Sequence, residues 1–116
     1  MAKYILWHNP RCAKSREGFK ILEGLDVEVR KYLDNPPTCE ELQEVLKKLN
    51  MKPSELVRKK EKLFRELGLK DADEETILKA MCEHPKLIER PILIKGDKAV
   101  LGRPPEKFKE LIDENS

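Results

Sequence analysis

The sequence predicts an α/β fold: a mixed β-sheet assembled from a β-α-β segment and a later β-β-α segment, with a helical subdomain inserted between them. Three observations carry this. Two short apolar runs flank a helical stretch near the N-terminus. Residues 38 to 88 hold helix signals and no strand signal. Two further apolar runs then surround a glycine turn and precede a last amphipathic stretch. A chain of 116 residues is read as one domain, large enough to bury a single core without disulfides or a metal.

Tyr4-Ile5-Leu6-Trp7 is a continuous apolar run, the pattern of a strand buried on both faces. A helix is expected from about Ala13 to Glu23, with Phe19 and Leu22 inward and Gly24 as its stop. Val27, Val29 and the Tyr32-Leu33 end suggest a second strand, which makes a βαβ unit with parallel strands and a right-handed crossover. Asn35-Pro36-Pro37 breaks the chain. Thr38 and Glu41 have the spacing of a capping box, and Leu42, Val45, Leu46 and Leu49 follow at helical intervals. Pro53-Ser54 opens a short helix, Leu63 to Leu67 forms another turn ended by Gly68, and Asp73 caps a helix with Ile77, Leu78 and Met81 inward that His84-Pro85 ends. Ile92-Leu93-Ile94 and Ala99-Val100-Leu101 flank Lys95-Gly96-Asp97-Lys98 as a β-hairpin. Pro104 and Pro105 open the last helix, with Phe108, Leu111 and Ile112 inward. Without the insert this is the thioredoxin-like order, with a core of residues 1–37 and 89–116 and a helical insert of 38–88.

Composition narrows the function. Charged residues are 40% of the chain, but 24 basic against 22 acidic leaves only +2, a mixed surface rather than the basic excess of a nucleic-acid-binding protein. The N-terminus lacks the pattern of a signal peptide, and no apolar run approaches the roughly 18 residues of a membrane span. A cytoplasmic protein with no membrane and no nucleic-acid partner is expected. Three cysteines, at 12, 39 and 82, cannot all pair within the chain and show no CxxC spacing, which in a reducing compartment argues against a disulfide framework and against a zinc site.

The chemistry concentrates in His8-Asn9-Pro10-Arg11-Cys12-Ala13-Lys14-Ser15-Arg16, between the first strand and the first helix. Free N–H groups and the positive end of a helix dipole favour a thiolate, and cysteine pKa values in such settings fall from about 8.5 to roughly 3.5–7.5. The same N–H groups suit an oxyanion. Cys12 is thus the candidate nucleophile. His8 can support the thiolate as a cation or as a neutral hydrogen-bond donor. Ser15, one helical turn on, can direct its hydroxyl at the sulfur or cap the helix. Arg11 and Arg16 flank the thiol.

Taken with Leu33-x-Asn35-Pro36-Pro37, Leu56-Val57-Arg58-Lys59-x-Glu61, Leu67-Gly68-Leu69, His84-Pro85, Arg90-Pro91-Ile92 and Gly102-Arg103-Pro104-x-Glu106, that stretch resembles the glutaredoxin-coupled arsenate reductase family, whose relatives include the Spx-type regulators. The resemblance runs through nearly the whole chain in order. It implies a thioredoxin-like fold, with Cys12, His8 and Ser15 as catalytic residues. It also implies that Arg58, Arg90 and Arg103 bind the oxyanion, where guanidinium offers the bidentate, permanent charge that a tetrahedral dianion needs. Pro91 corresponds to a cis-proline opposite the thiol. The implied activity is reduction of arsenate or a similar oxyanion, with glutathione as co-substrate, glutaredoxin as partner, no tightly bound cofactor and no metal. Cys82 is read as buried filler beside Leu78. Cys39, in a first helical turn, is read as exposed and as a minor candidate to resolve a disulfide with Cys12. Some family members carry cysteine where this chain has Gly102. Two other functions fit the pattern: a glutathione-linked thiol-disulfide oxidoreductase that does not act on arsenate, and an Spx-like regulator that binds RNA polymerase. Ser15, standing where a CxxC switch would need its second cysteine, and the retained arginines count against the regulator.

Overall fold

A computed structural model of the chain describes residues 3–112, so the first two and last four residues of the expected core segments lie outside it. The fold is the mixed α/β arrangement expected. The chain forms two compact units, one of the residues up to Asn35 together with those from Arg90 on, the other Pro36–Glu89.

The first unit holds the sheet. Its strands are β1 (Tyr4–Trp7), β2 (Val27–Arg30), β3 (Ile92–Lys95) and β4 (Lys98–Leu101), in the spatial order β2-β1-β3-β4. β2 runs parallel to β1, β3 antiparallel to β1, and β4 antiparallel to β3. Helix α1 (Ala13–Ile21) makes the crossover from β1 to β2. Tyr4, Leu6, Leu22, Leu93, Phe108 and Leu111 form one buried cluster with Ile21, Val27, Val100 and Ile112 at its edge. Alternation explains the choice of residues: Tyr4 and Leu6 share a face of β1, and Leu6 is paired with Leu93 of β3. The hairpin closes tightly, because Lys95 pairs with Lys98 and only Gly96-Asp97 lie between them. Gly96 takes φ 57°, which the primed turns of two-residue hairpins require and glycine adopts without penalty.

Two expectations change in this unit. Phe19 is 45% exposed rather than inward. The buried positions of α1 are Ser15 and Gly18, with Leu22 just after it, and Phe19 is one residue, about 100° of helix, past Gly18. Its ring lies instead against His8, with centroids 5.4 Å apart. β2 ends at Arg30, so Tyr32 and Leu33 belong to the turn that follows it, and Leu33 is exposed. Arg90-Pro91 is cis as the resemblance implies, and Arg103-Pro104 is cis as well.

The second unit is helical: α2 (Cys39–Leu49), α3 (Pro53–Leu56), α4 (Lys62–Glu66) and α5 (Glu74–Glu83), with short 3-10 turns at Leu69–Asp71 and Pro85–Leu87. Both expected caps form. Thr38 Oγ1 accepts from Glu41 N at 3.1 Å while Glu41 Oε1 accepts from Thr38 N at 2.8 Å, and Asp73 Oδ1 accepts from Thr76 N at 2.9 Å. Leu42, Val45 and Leu46 are buried on α2, and Ile77, Ala80 and Met81 on α5; Leu78 is only partly buried.

The cysteines correct the sequence reading. Cys39 and Cys82 form a disulfide, with Cα atoms 5.1 Å apart, where no disulfide, an exposed free Cys39 and a buried filler at Cys82 were expected. The capping box fixes Cys39 as the first residue of α2, α2 packs on α5, and Cys82 lies in the last turn of α5. Two helix ends 43 positions apart therefore meet. Among the described residues no helix is long and apolar enough to cross a membrane.

Gly18 and Gly102 are close-approach positions in the sheet unit. A Cβ on either would come within 2.7 Å of the Phe108 ring and about 3 Å of Pro91 Cγ. Phe108 is fully buried and cannot swing clear. A cysteine side chain at position 102 is therefore disfavoured by packing here. Gly102→Ala is expected to lower stability by about 1–3 kcal/mol through overpacking, read as a lower urea midpoint at unchanged m-value. An unchanged midpoint would mean that the Phe108 ring yields.

Candidate active site

Cys12 ends a tight loop. Pro10 follows the buried Asn9, whose side-chain Oδ1 accepts from Arg11 N at 3.0 Å and whose carbonyl accepts from Cys12 N, also at 3.0 Å. These bonds make the turn that delivers Cys12 to the N-cap of α1, with extended backbone, and its carbonyl accepts the helix's first bond from Arg16 N at 3.0 Å. Arg16 Nη1 donates to Pro10 O at 3.0 Å and holds the outside of the loop.

The sheet brings the arginines to this loop. β3 pairs Ile92 with Leu101 of β4, and continuing that register two residues outward sets Arg90 opposite Arg103. Gly102 N donates to Pro91 O at 2.8 Å, and Arg103 Nε donates to Arg90 O at 2.8 Å. β1 is antiparallel to β3 with Trp7 opposite Ile92, so the residues leaving β1 lie at the end where Arg90 enters β3. Arg103 Nη2 reaches Cys12 Sγ at 3.9 Å, and the Arg90 guanidinium also acts on the sulfur as donor and as charge.

The electrostatics of the thiol are a balance. Burial pushes its pKa up; the Ser15 N–H, the Arg90 guanidinium and the Lys14 N–H pull it down, and it settles at about 7. Half of Cys12 is therefore thiolate near neutral pH. Ser15 contributes its backbone N–H, whereas its hydroxyl, fully buried, makes no hydrogen bond among the described residues. His8 is buried too. Desolvation first, then Lys31 and Arg16, lower its pKa, so the imidazole is neutral where Cys12 is ionised. Of the two roles the sequence left open for His8, that of a cation is disfavoured. Its Nδ1 has no hydrogen-bond partner among the described residues.

Cys12, Ser15, Arg90 and Arg103 thus come together in the sheet unit. Arg58 belongs to the helical unit and is fixed there. Its N–H donates to Leu87 O at 2.7 Å beside the Val57–Ile88 bridge, and its guanidinium lies 3.7 Å from the Glu89 carboxylate. Arg58 Nε and Nη1 are buried and make no hydrogen bond among the described residues. Sequence reasoning missed one residue in contact with its arginines, Glu89 beside Arg58, which directly precedes the Arg90-Pro91 motif. Among the described residues no group of three His, Cys, Asp or Glu could hold a metal.

The model of the ArsC family matches residues 7–111. An Escherichia coli protein named uncharacterized protein YfgD is 45% identical over 112 residues, which cover 92% of this chain and 94% of that one. An arsenate reductase of Neisseria meningitidis is 40% identical over 117 residues, covering 97% of this chain and all of its own. Among solved structures, an arsenate reductase from Vibrio cholerae superposes with a TM-score of 0.88 at 40% identity, over 94% of this chain and 97% of that one.

With the Cys12 pKa lowered to about 7, its alkylation rate should climb as pH rises through 7 and level off above 8. Rates measured against pH on the Cys12 peptide by mass spectrometry check this. A midpoint at the ordinary thiol value, about 8.5, would show that the helix N-terminus and Arg90 do not activate the sulfur.

Proposed function

Since the chain belongs to the ArsC family, we propose that it reduces arsenate to arsenite in the cytoplasm, with Cys12 as nucleophile and glutathione and glutaredoxin as the source of electrons. One observation carries the reading: a thiol with a pKa of about 7 at a helix N-terminus, with the Arg90 and Arg103 guanidinium groups beside the same sulfur. The Cys12 thiolate attacks arsenic to form a sulfur–arsenic bond, and an arsenate hydroxyl leaves as water after taking one proton from solvent. Arg90 and Arg103 hold the remaining oxygens and offset the charge that gathers on them. Ser15 then donates its buried hydroxyl, which makes no hydrogen bond among the described residues, to one of them. A glutathione thiolate then attacks the Cys12 sulfur. The sulfur–arsenic bonding pair departs with arsenic, which becomes arsenite, and Cys12 remains as a mixed disulfide that glutaredoxin resolves.

The need for an external reductant follows from counting thiols. Cys39 and Cys82 are joined to each other, and Cys12 is the one free cysteine. No second thiol of the chain is left to resolve the adduct. The family resemblance adds Arg58 to the oxyanion-binding set, and its lysine variant is tested with the others.

The experiment is arsenate-dependent NADPH oxidation coupled through glutathione reductase, glutathione and glutaredoxin. Wild type should turn over and Cys12→Ser should not, while Cys39→Ser and Cys82→Ser should keep most activity. Arg103→Lys retains charge but loses the planar fork, so kcat/KM should fall at least about tenfold, the equivalent of roughly 1.5–3 kcal/mol for a charge-assisted contact. Cys12-dependent reduction of glutathione mixed disulfides without any arsenate turnover would replace this reading with thiol-disulfide exchange alone.

A further inference from the structure

The Cys39–Cys82 disulfide lies wholly within the helical unit, and the reaction described above makes no use of it. Each sulfur belongs to a helix end that is fixed without it. Cys39 is the first residue of α2, set there by the Thr38–Glu41 capping box. Cys82 lies in the last turn of α5, which Asp73 caps at its other end. Leu42 and Leu46 of α2 and Ile77 and Met81 of α5 are buried, so the two helices carry apolar packing of their own. The bond is also open to reagents, because Cys39 is exposed and Cys82 only half-buried. Exposed disulfides are the labile ones, since exchange needs a thiolate to reach a sulfur.

Past Cys82 the chain is tied, one backbone bond after another, to Arg58. His84 N donates to Ala80 O at 2.8 Å and ends α5; Leu87 N donates to His84 O and Ile88 N to Pro85 O, each at 2.9 Å. Arg58 N donates to Leu87 O at 2.7 Å and Glu89 N to Leu56 O at 3.0 Å, on either side of the Val57–Ile88 bridge. The Arg58–Glu89 ion pair, at 3.7 Å, lies on this short ladder. Fraying at the end of α5 therefore reaches the ladder through few intervening bonds. The disulfide ties that end of α5 to the start of α2 and closes a loop spanning 43 positions. A cross-link over so long a loop removes much conformational freedom from the unfolded chain, and opening it restores that freedom.

We propose that Cys39–Cys82 is a second thiol-exchange site, a reversible clamp that small thiols such as glutathione open and whose state sets how firmly the end of α5 holds the Arg58–Glu89 ladder. A glutathione thiolate attacks the exposed Cys39 sulfur, and the disulfide bonding pair leaves with Cys82, which takes a proton from solvent. A second glutathione thiolate attacks the glutathione sulfur of the mixed disulfide, and that bonding pair departs with Cys39, which is protonated in turn. The chain gains two electrons, and two glutathione molecules leave joined as one disulfide. Glutathione disulfide closes the clamp by the reverse steps. The proposal does not rest on arsenate reduction.

The test uses the Cys12→Ser protein, so that every redox change falls on the other two cysteines. It is equilibrated with mixtures of glutathione and glutathione disulfide, starting from oxidised and from reduced material. Free thiols are then alkylated and counted by mass spectrometry. Molecules should carry either no label or two, in a proportion that follows the mixture and is the same from both directions. The reduced form should stay folded, with its thermal midpoint lower by about 8–16 °C. Hydrogen exchange at the Arg58 and Glu89 amides should accelerate on reduction by at least about tenfold more than at the β1 and β3 amides. Adding Cys39→Ser and Cys82→Ser in the same background should give the reduced pattern in every mixture. Failure of Cys39 and Cys82 to join in the oxidising mixtures, or a bond that stays closed in the reducing ones, overturns the proposal. Complete unfolding on reduction, which would make the bond a scaffold, overturns it too, as does equal acceleration at the sheet amides. None of these readings uses arsenate, so a protein without arsenate turnover would count against the proposed function alone.

Discussion

Antiparallel pairing of β3 between β1 and β4 decides which residues meet the Cys12 thiol. With Trp7 opposite Ile92 and Ile92 opposite Leu101, the chain leaving β1, the chain entering β3 and the chain leaving β4 all lie at one end of the sheet. The parallel pairing of β1 with β2, Trp7 opposite Arg30, brings the 31–35 turn to that end as well. A one-residue slip in any of these ladders would turn each side chain to the opposite face. The buried cluster under β1 and β3, together with the Phe108 ring wedged between Gly18, Gly102 and Pro91, makes such a slip costly.

That placement sets the electrostatics. Burial alone would raise the thiol pKa, and it is overcome by backbone N–H groups and by Arg90, with His8 neutral. Two guanidinium groups side by side repel each other. The thiolate relieves part of that repulsion, and a dianion bridging both would relieve more of it. Arg90, which lowers the thiol pKa, and Arg103 beside it are thus suited to the oxyanion-binding role proposed for them.

Much of this was legible in the sequence. The caps at Thr38 and Asp73, the hairpin around Gly96 and the turn before Cys12 are local devices whose residues name their own geometry. The Arg90–Arg103 pairing was legible too, since centring the hairpin on Gly96-Asp97 already sets the two opposite each other. What could not be read depended on contacts between distant elements or on helical phase. Phe19 was one position off the inward stripe of α1, whose true members, Ser15 and Gly18, are small and give no hydrophobic signal. Cys39 and Cys82 meet through the packing of α2 on α5, which no local pattern encodes. Tyr32 looked like the end of a strand, and only the tertiary fold reveals its stacking on Trp7.

The central claim is that Arg90 and Arg103 hold a tetrahedral oxyanion against the Cys12 sulfur. A crystal structure of the protein with arsenate tests it most directly. The account predicts arsenic adjacent to Cys12 Sγ, with arsenate oxygens about 2.7–2.9 Å from guanidinium nitrogens of both arginines. Arsenate bound elsewhere on the molecule, with both guanidinium groups turned away from it and Cys12 untouched, would contradict it.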